Sequence, residues 1–253
     1  MLPKFVICGI EHSGTTLLSE IFRQVDGLDA GFEVGVLLTD NPREFRNYHP
    51  FIDQMLEGWG LTEEDLDYIC DTDSFETFYE RLYERSKVIK KPCEIFDKTP
   101  RYAWALDTVM EKYNGKFICT YKDPRALVWS NYKRYAKQNK DFIRWAEDNL
   151  PKFKRYWLKI YNNYQKFKNN NNVRLISLED LTLNTKNVLK DLFDFIEVHF
   201  KLDYLFLSKP RYSHVRADYI SIKIAFEYRY NLKKEEMKII EEYFRDLAEW
   251  FYE

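Results

Sequence analysis

The sequence predicts an α/β protein with a parallel sheet of about four to five strands flanked by helices, in three layers. Two observations carry this. Apolar runs of strand length recur along the chain, and segments with helical apolar spacing separate them, which is the pattern of a parallel sheet joined by right-handed crossovers. A third observation sharpens it: the first apolar run passes through a glycine-bounded turn straight into a helix.

The elements follow in chain order. Residues 4–10 form the first strand, and 15–26 the first helix, on Leu17, Leu18, Ile21, Phe22 and Val25. A short strand is predicted near 30–34, a helix over 74–90, a strand over 94–97 and a helix over 100–113. Residues 116–121 form a buried strand; the turn at Asp123-Pro124 opens a helix over 124–138. Pro151 interrupts the stretch 141–168, which therefore reads as two helices or one kinked helix. The Asn169–Asn172 tract turns the chain into a strand at 173–178, followed by a helix over 185–197 and an amphipathic closing helix over 233–251. With no repeat and no Gly-, Ser- or Pro-rich linker, residues 1–253 are expected to form one domain.

Composition narrows the class. Hydrophobic residues at 45% and aromatics at 17% identify a globular chain able to bury a full core, not a disordered one. Cys8, Cys70, Cys93 and Cys119 show neither CxxC nor metal spacing, and Cys8 and Cys119 fall within strands, which reads as buried reduced thiols. The four histidines stand singly, so no metal site is expected. Met1 lies just before the first core strand, leaving no signal peptide or membrane anchor in this sequence, and a cytoplasmic protein is the expectation. Net charge is only −2, yet residues 131–172 hold eleven Lys/Arg against three Asp/Glu. Interleaved with Tyr and Trp, such a stretch could face nucleic acid or be a solvated helix face; beside an anion site it reads best as a field that gathers a strongly anionic ligand, with no nucleic-acid partner.

The chemistry concentrates in FVICGIEHSGTTLLSEIF, residues 5–22. Strand, tight loop and helix N-terminus converge free N–H groups and the helix dipole on an anion. Gly9, four residues, Gly14 and the hydroxyl of Thr16 fit the spacing of a nucleotide P-loop, giving a P-loop-like three-layer sandwich, but Thr15 stands where the triphosphate-binding Lys belongs. Such a cradle suits a shorter anion. KFICTYKDPRALVWSNYKRY at 116–135 repeats the strand–turn–helix plan. A loop after the second short strand would project Glu33 toward the carboxyl edge of the sheet, where open α/β folds bind ligands.

Four segments resemble those of sulfotransferases that use 3′-phosphoadenosine 5′-phosphosulfate (PAPS). SGTTLL at 13–18 is similar to the 5′-phosphosulfate loop, and KDPRALVWS at 122–130 to the 3′-phosphate element R-(D/N)-P-x-x-x-x-x-S. FDKTPRY at 96–102 resembles the D-K-T-P segment and SLEDL at 177–181 the Y-E-D-L segment. The chain is thereby identified as a member of this family, closest in motif to the carbohydrate and tyrosylprotein branch.

The resemblance implies sulfuryl transfer from PAPS to a hydroxyl, or an amine, of a carbohydrate or small-metabolite acceptor, leaving adenosine 3′,5′-bisphosphate, with no metal. It places Ser13, Gly14, Thr15 and Thr16 on the 5′-phosphosulfate and Lys122 with Ser130 on the 3′-phosphate, with Arg125 able to assist. In the late loop 208–219 Arg216, and beside it Arg211 and Ser213, are open to two readings, contacts to the donor as the resemblance implies or an exposed loop. Glu33, 21 residues after His12, matches the catalytic base, and Lys98 the cation near the transferred sulfate. His12 occupies a position where the family carries Lys or Arg, and Lys122 one where it carries Arg; a bound phosphosulfate should favour the imidazolium of His12. Tyr48, His49, Trp59, Tyr102 and Trp104 are open to two readings, acceptor cleft or core. A P-loop nucleotide or nucleoside kinase and a non-catalytic nucleotide-binding relative are the alternatives.

Overall fold

The protein is described by a computed structural model over residues 1–136, 141–207, 211 and 220–252. Among the described residues six strands form: β1 (Phe5–Gly9), β2 (Leu28–Asp29), β3 (Glu94–Ile95), β4 (Asp97–Lys98), β5 (Lys116–Tyr121) and β6 (Val173–Ser177). The main sheet runs β4-β1-β5-β6, and every pair in it is parallel. Register places Ile7 beside Lys98, Cys8 beside Cys119 and Gly9 beside Thr120. All five residues of β1 are buried, which is why this strand reads as an unbroken apolar run instead of an alternating one.

The predicted 94–97 strand is two short strands. β4 joins β1, while β3 turns away to pair with β2 in a separate two-stranded sheet. The short strand expected near 30–34 lies at 28–29, and 30–34 is loop. Gly31 explains this: a Cβ there would stand 2.4 Å from the Trp59 ring, so the backbone is pressed against a side chain and not against another strand.

Thirteen helices are described. α1 (Thr15–Phe22) follows β1; α2 (Pro42–Phe45), α3 (Phe51–Gly58), α4 (Glu63–Cys70) and α5 (Phe75–Arg85) fill the long excursion between β2 and β3. α6 (Leu106–Lys112) is preceded by a 3₁₀ turn at Pro100–Ala105. α7 (Pro124–Tyr135) follows β5, and α8 (Phe142–Phe167) is one continuous helix. Pro151 is exposed within α8, so the hydrogen bond it cannot make belongs to the wet face. α9 (Leu178–Leu183) and α10 (Thr185–Phe195) follow β6, and α11 (Lys223–Phe226), α12 (Tyr228–Asn231) and α13 (Lys234–Tyr243) close the chain. The predicted closing helix stops at α13; a 3₁₀ stretch, Arg245–Trp250, with a non-helical Leu247, turns Leu247 and Trp250 inward. The final residues of the helix expected over 124–138 lie outside the described residues.

The core spans the sheet. Phe5 stacks on Phe96 at 5.0 Å between ring centroids, and Phe22 meets Phe193 at 5.2 Å. All four cysteines are free thiols; Cys8 and Cys119 face each other across β1 and β5 at 3.4 Å, and burial pushes the Cys8 thiol well up. Among the described residues no helix is long and apolar enough to cross a membrane.

Candidate functional site

Because β4, β1 and β5 are parallel neighbours, their carboxyl ends deliver Lys98, the 10–14 loop and Lys122 side by side on one edge. That juxtaposition builds the site.

The loop is shaped by close approach. A Cβ on Gly9 would stand 2.1 Å from Thr120 Oγ1 and 2.7 Å from the Thr120 carbonyl. The Ser13 hydroxyl lies 2.5 Å from both the Ile10 carbonyl and Thr120 Oγ1, and the Ser13 N–H donates to Ile10 O at 3.0 Å. Ser13 is thus a buried brace between the loop and β5. His12 and Gly14 both take left-handed φ, 69° and 97°. Gly14 is the N-cap of α1 and no side chain caps the helix, so the first-turn N–H groups at Thr15 and Thr16 have no side-chain partner and face the edge with the positive end of the dipole. Gly9→Ala is expected to lower stability by about 3 kcal/mol through backbone displacement, read as a lower urea midpoint at unchanged slope.

On β5, the register carries Lys122 past the strand end, where Asp123 caps α7 by accepting from Arg125 N at 2.7 Å and Pro124 occupies the first turn. Lys122 Nζ donates to Ser130 Oγ at 3.1 Å and to the Ile224 carbonyl at 2.9 Å. The eight-residue spacing read from the sequence is therefore a direct contact. Burial pulls the Lys122 ammonium down to about 8, opposed by the charges of Glu179 and Glu227. Glu179, buried at the start of α9, was not singled out by the sequence, although it lies in SLEDL; the motif match was the only signal for it. Its Oε1 accepts from Asp123 N at 3.1 Å, its Oε2 has no partner among the described residues, and burial pushes it up to about 7. Arg125 is engaged elsewhere, with Asp123 at 2.6 Å, Glu241 at 2.8 Å and the Tyr252 carbonyl at 2.9 Å.

Across β1, Lys98 is 1% exposed, and its ammonium donates to Glu33 Oε1 at 3.0 Å while lying 4.5 Å from the Phe32 ring centroid. Two residues 65 positions apart are brought together here. Asp97 does not take Lys98 as its hydrogen-bond partner: it accepts from Tyr79 OH at 2.6 Å, Thr99 Oγ1 at 2.7 Å and Tyr102 OH at 2.9 Å. Thr99 Oγ1 in turn accepts from the N–H groups of Val34 and Gly35 at 3.0 and 3.1 Å. The D-K-T-P segment therefore fixes the loop that carries Glu33.

His12 closes the constellation. Its Nε2 is buried with no hydrogen-bond partner among the described residues. Burial, then the charges of Arg134 and Lys122, pull the imidazole down to about 4, so it is neutral in the unliganded protein.

The remaining candidates divide. Arg211 contacts the Ala30 carbonyl, reaches Asp29 at 3.1 Å and donates its N–H to Glu20 at 2.9 Å, bracing β2 and α1 in a buried cluster with Arg23. Ser213 and Arg216 lie outside the described residues. Trp59 and Tyr102 are core, His49 is exposed and paired with Asp53, Tyr48 is packed on Phe51, and Trp104 stands 36% exposed with Lys159 Nζ 3.4 Å from its ring centroid. Among the described residues no cluster of His, Cys, Asp and Glu suits a metal ion.

The loop after β1, flanked by the Lys98–Glu33 pair and the Lys122–Ser130 pair, lies on one edge of an α/β sheet. The family model described as "Sulfotransferase family" matches residues 3–201, and the chain belongs to that family. Solved structures agree in fold. The sulfotransferase domain of the curacin biosynthetic pathway shares 17% identity at a TM-score of 0.63, covering 97% of this chain and 98% of that one. The sulfotransferase domain of the Synechococcus PCC 7002 olefin synthase shares 17% identity at 0.65, covering 95% and 93%. The mouse sulfotransferase SULT7A1 complexed with PAP shares 12% at 0.57, covering 96% and 83%. A search of the curated proteins returns no match.

Proposed function

We propose that this chain, acting as one domain, moves a sulfuryl group from PAPS to a hydroxyl or amine of a carbohydrate or small-metabolite acceptor. The observation that carries the reading is the adjacency, on three neighbouring strand ends, of the uncapped loop, Lys98 with Glu33, and Lys122 with Ser130. The residues fit the donor: the first turn of α1 has no side-chain cap, and the buried His12 Nε2 lacks a hydrogen-bond partner among the described residues. The mouse relative's complex with PAP supports the same donor class.

In this reading Thr15, Thr16 and the N–H groups about Gly14 hold the 5′-phosphosulfate, with Ser13 keeping the loop in shape. Lys122 and Ser130 hold the 3′-phosphate, and the Ile224 carbonyl gives up its bond to Lys122. Arg125 fixes Asp123 and so the turn that presents Lys122. The donor supplies a sulfuryl group already activated by its mixed anhydride. Glu33 accepts the proton of the acceptor hydroxyl at its carboxylate, and Lys98, already within reach of that carboxylate, offsets charge at the leaving oxygen. His12, neutral when the site is unliganded, donates to the donor once the phosphosulfate draws a proton onto it.

A thermal-shift titration with adenosine 3′,5′-bisphosphate beside Mg·ATP tests the reading. At about a hundredfold Kd a ligand adds roughly 2.7 kcal/mol of stability. A shift with the bisphosphate alone is expected; a shift only with Mg·ATP would replace the reading with a kinase, and no shift from either would leave a non-catalytic relative.

A further inference from the structure

The turn that presents Lys122 is tied down from a segment more than a hundred residues away. Asp123 is buried, and capping α7 occupies its Oδ1 with the Arg125 N–H at 2.7 Å. Its Oδ2 accepts from Arg125 Nη2 at 2.6 Å, but also from the Tyr252 N–H at 2.9 Å and the Tyr228 hydroxyl at 3.2 Å. The Tyr252 carbonyl in turn accepts from Arg125 Nη2 and from Arg229 Nη2, each at 2.9 Å, and Arg229 Nε donates to the Tyr228 oxygen at 3.1 Å. Trp250 packs on Tyr161 at 4.7 Å between ring centroids, and the Tyr161 hydroxyl donates to the Lys122 carbonyl at 2.6 Å. Tyr228, Arg229, Trp250 and Tyr252 all lie beyond residue 201, where the match to the family model ends.

A helix cap needs only N–H groups of the first turn, and Asp123 already has one in Arg125. The two distant donors add what the cap cannot: they fix the rotation of the turn at the end of β5. That rotation decides where Lys122 stands relative to Ser130, because Ser130 is carried by α7 and Lys122 by the turn. A phosphate held by both needs their spacing kept to within about 0.5 Å. Hydrogen bonds to a buried carboxylate are strong enough to impose that constraint.

Resting on the donor reading above, we propose that Tyr228 and the main chain of Tyr252 are positioning residues for the 3′-phosphate. Through Asp123 they hold Lys122 in register with Ser130, and they act on the donor only through that lysine. Their effect is therefore confined to ligands that carry a 3′-phosphate. Residues that merely stabilised the domain would weaken every nucleotide alike, or none.

The test compares adenosine 3′,5′-bisphosphate with adenosine 5′-monophosphate by calorimetry on the full chain, the weaker ligand being measured by competition. The monophosphate keeps the 5′ contacts and lacks the group assigned to Lys122 and Ser130. Wild type is expected to favour the bisphosphate by about fiftyfold, the scale of a charge-assisted contact. Tyr228→Phe removes only the hydroxyl. Tyr252→Pro removes the N–H together with the ring, Tyr252→Ala the ring alone, and Phe251, at φ −72° and ψ 138°, already has the conformation a following proline favours. Tyr228→Phe and Tyr252→Pro are each expected to cut the preference by about fivefold at unchanged monophosphate affinity, while Tyr252→Ala keeps it. A preference unchanged in both Tyr228→Phe and Tyr252→Pro, or equal losses for the two nucleotides, would overturn the proposal. A wild type with no preference overturns instead the assignment of the 3′-phosphate to Lys122, on which the proposal rests.

Discussion

Glu33→Gln is expected to lower the rate of sulfuryl transfer by about 10²- to 10⁴-fold, the usual contribution of a positioned base. The amide oxygen of Gln preserves an acceptor for Lys98 Nζ, now 3.0 Å from Glu33 Oε1, so the loop held by Thr99 through Val34 and Gly35 should keep its place. Affinity for adenosine 3′,5′-bisphosphate is therefore expected to change by no more than about twofold, since a group that acts only in the transition state leaves ground-state binding intact. Single-turnover transfer and calorimetry on the same variant separate the two quantities. A variant with full activity would show that the proton goes elsewhere.

Bisphosphate affinity is expected to weaken by about tenfold per pH unit above pH 8, where one proton is lost from the unliganded site. The sign follows from Lys122. Its buried ammonium titrates near 8 in the unliganded protein, and an anion favours the charged form, so binding raises that value and must take up a proton above it. Lys122→Arg keeps a permanent cation and should hold affinity flat through this range. His12 gives the matching acid limb: it titrates near 4 in the unliganded protein, so binding at weakly acidic pH draws a proton onto the ring, and His12→Lys should abolish that uptake. Calorimetry in buffers of differing ionisation enthalpy counts both protons. An alkaline limb identical in wild type and Lys122→Arg would remove Lys122 from the 3′-phosphate.

The parts of the site legible in the sequence were those set by local geometry. β1, β5 and β6 declare themselves because strands buried on both faces are unbroken apolar runs, and the Lys122–Ser130 contact is legible because eight residues return to the same face of the turn and helix. What joins distant segments was not legible. Nothing local pairs Glu33 with Lys98, or tells that Asp97 spends its carboxylate on Tyr79, Thr99 and Tyr102. The misplacement of the strand near 30–34 has the same origin: GFEVG alternates like a strand, and only the approach of Trp59 to Gly31 and of Phe51 to Gly35 reveals a loop. Glu179 was hidden because burial of a carboxylate under Asp123 depends on how α9 folds back on the edge. The break after α13 was hidden because its apolar spacing continues through Leu247 and Trp250, which turn inward on a 3₁₀ stretch.

The excursion between β2 and β3 carries four helices, α2 to α5, and contributes none of the residues assigned to the donor. It meets the loop that carries Glu33 through Phe51 against Gly35 and Trp59 against Gly31, while the strand ends proposed to hold the donor belong to β1, β4 and β5. Such an arrangement is modular. The helices of the excursion can change in sequence or length without touching the proposed donor contacts as long as those two aromatic plugs still seat and Tyr79 still donates to Asp97.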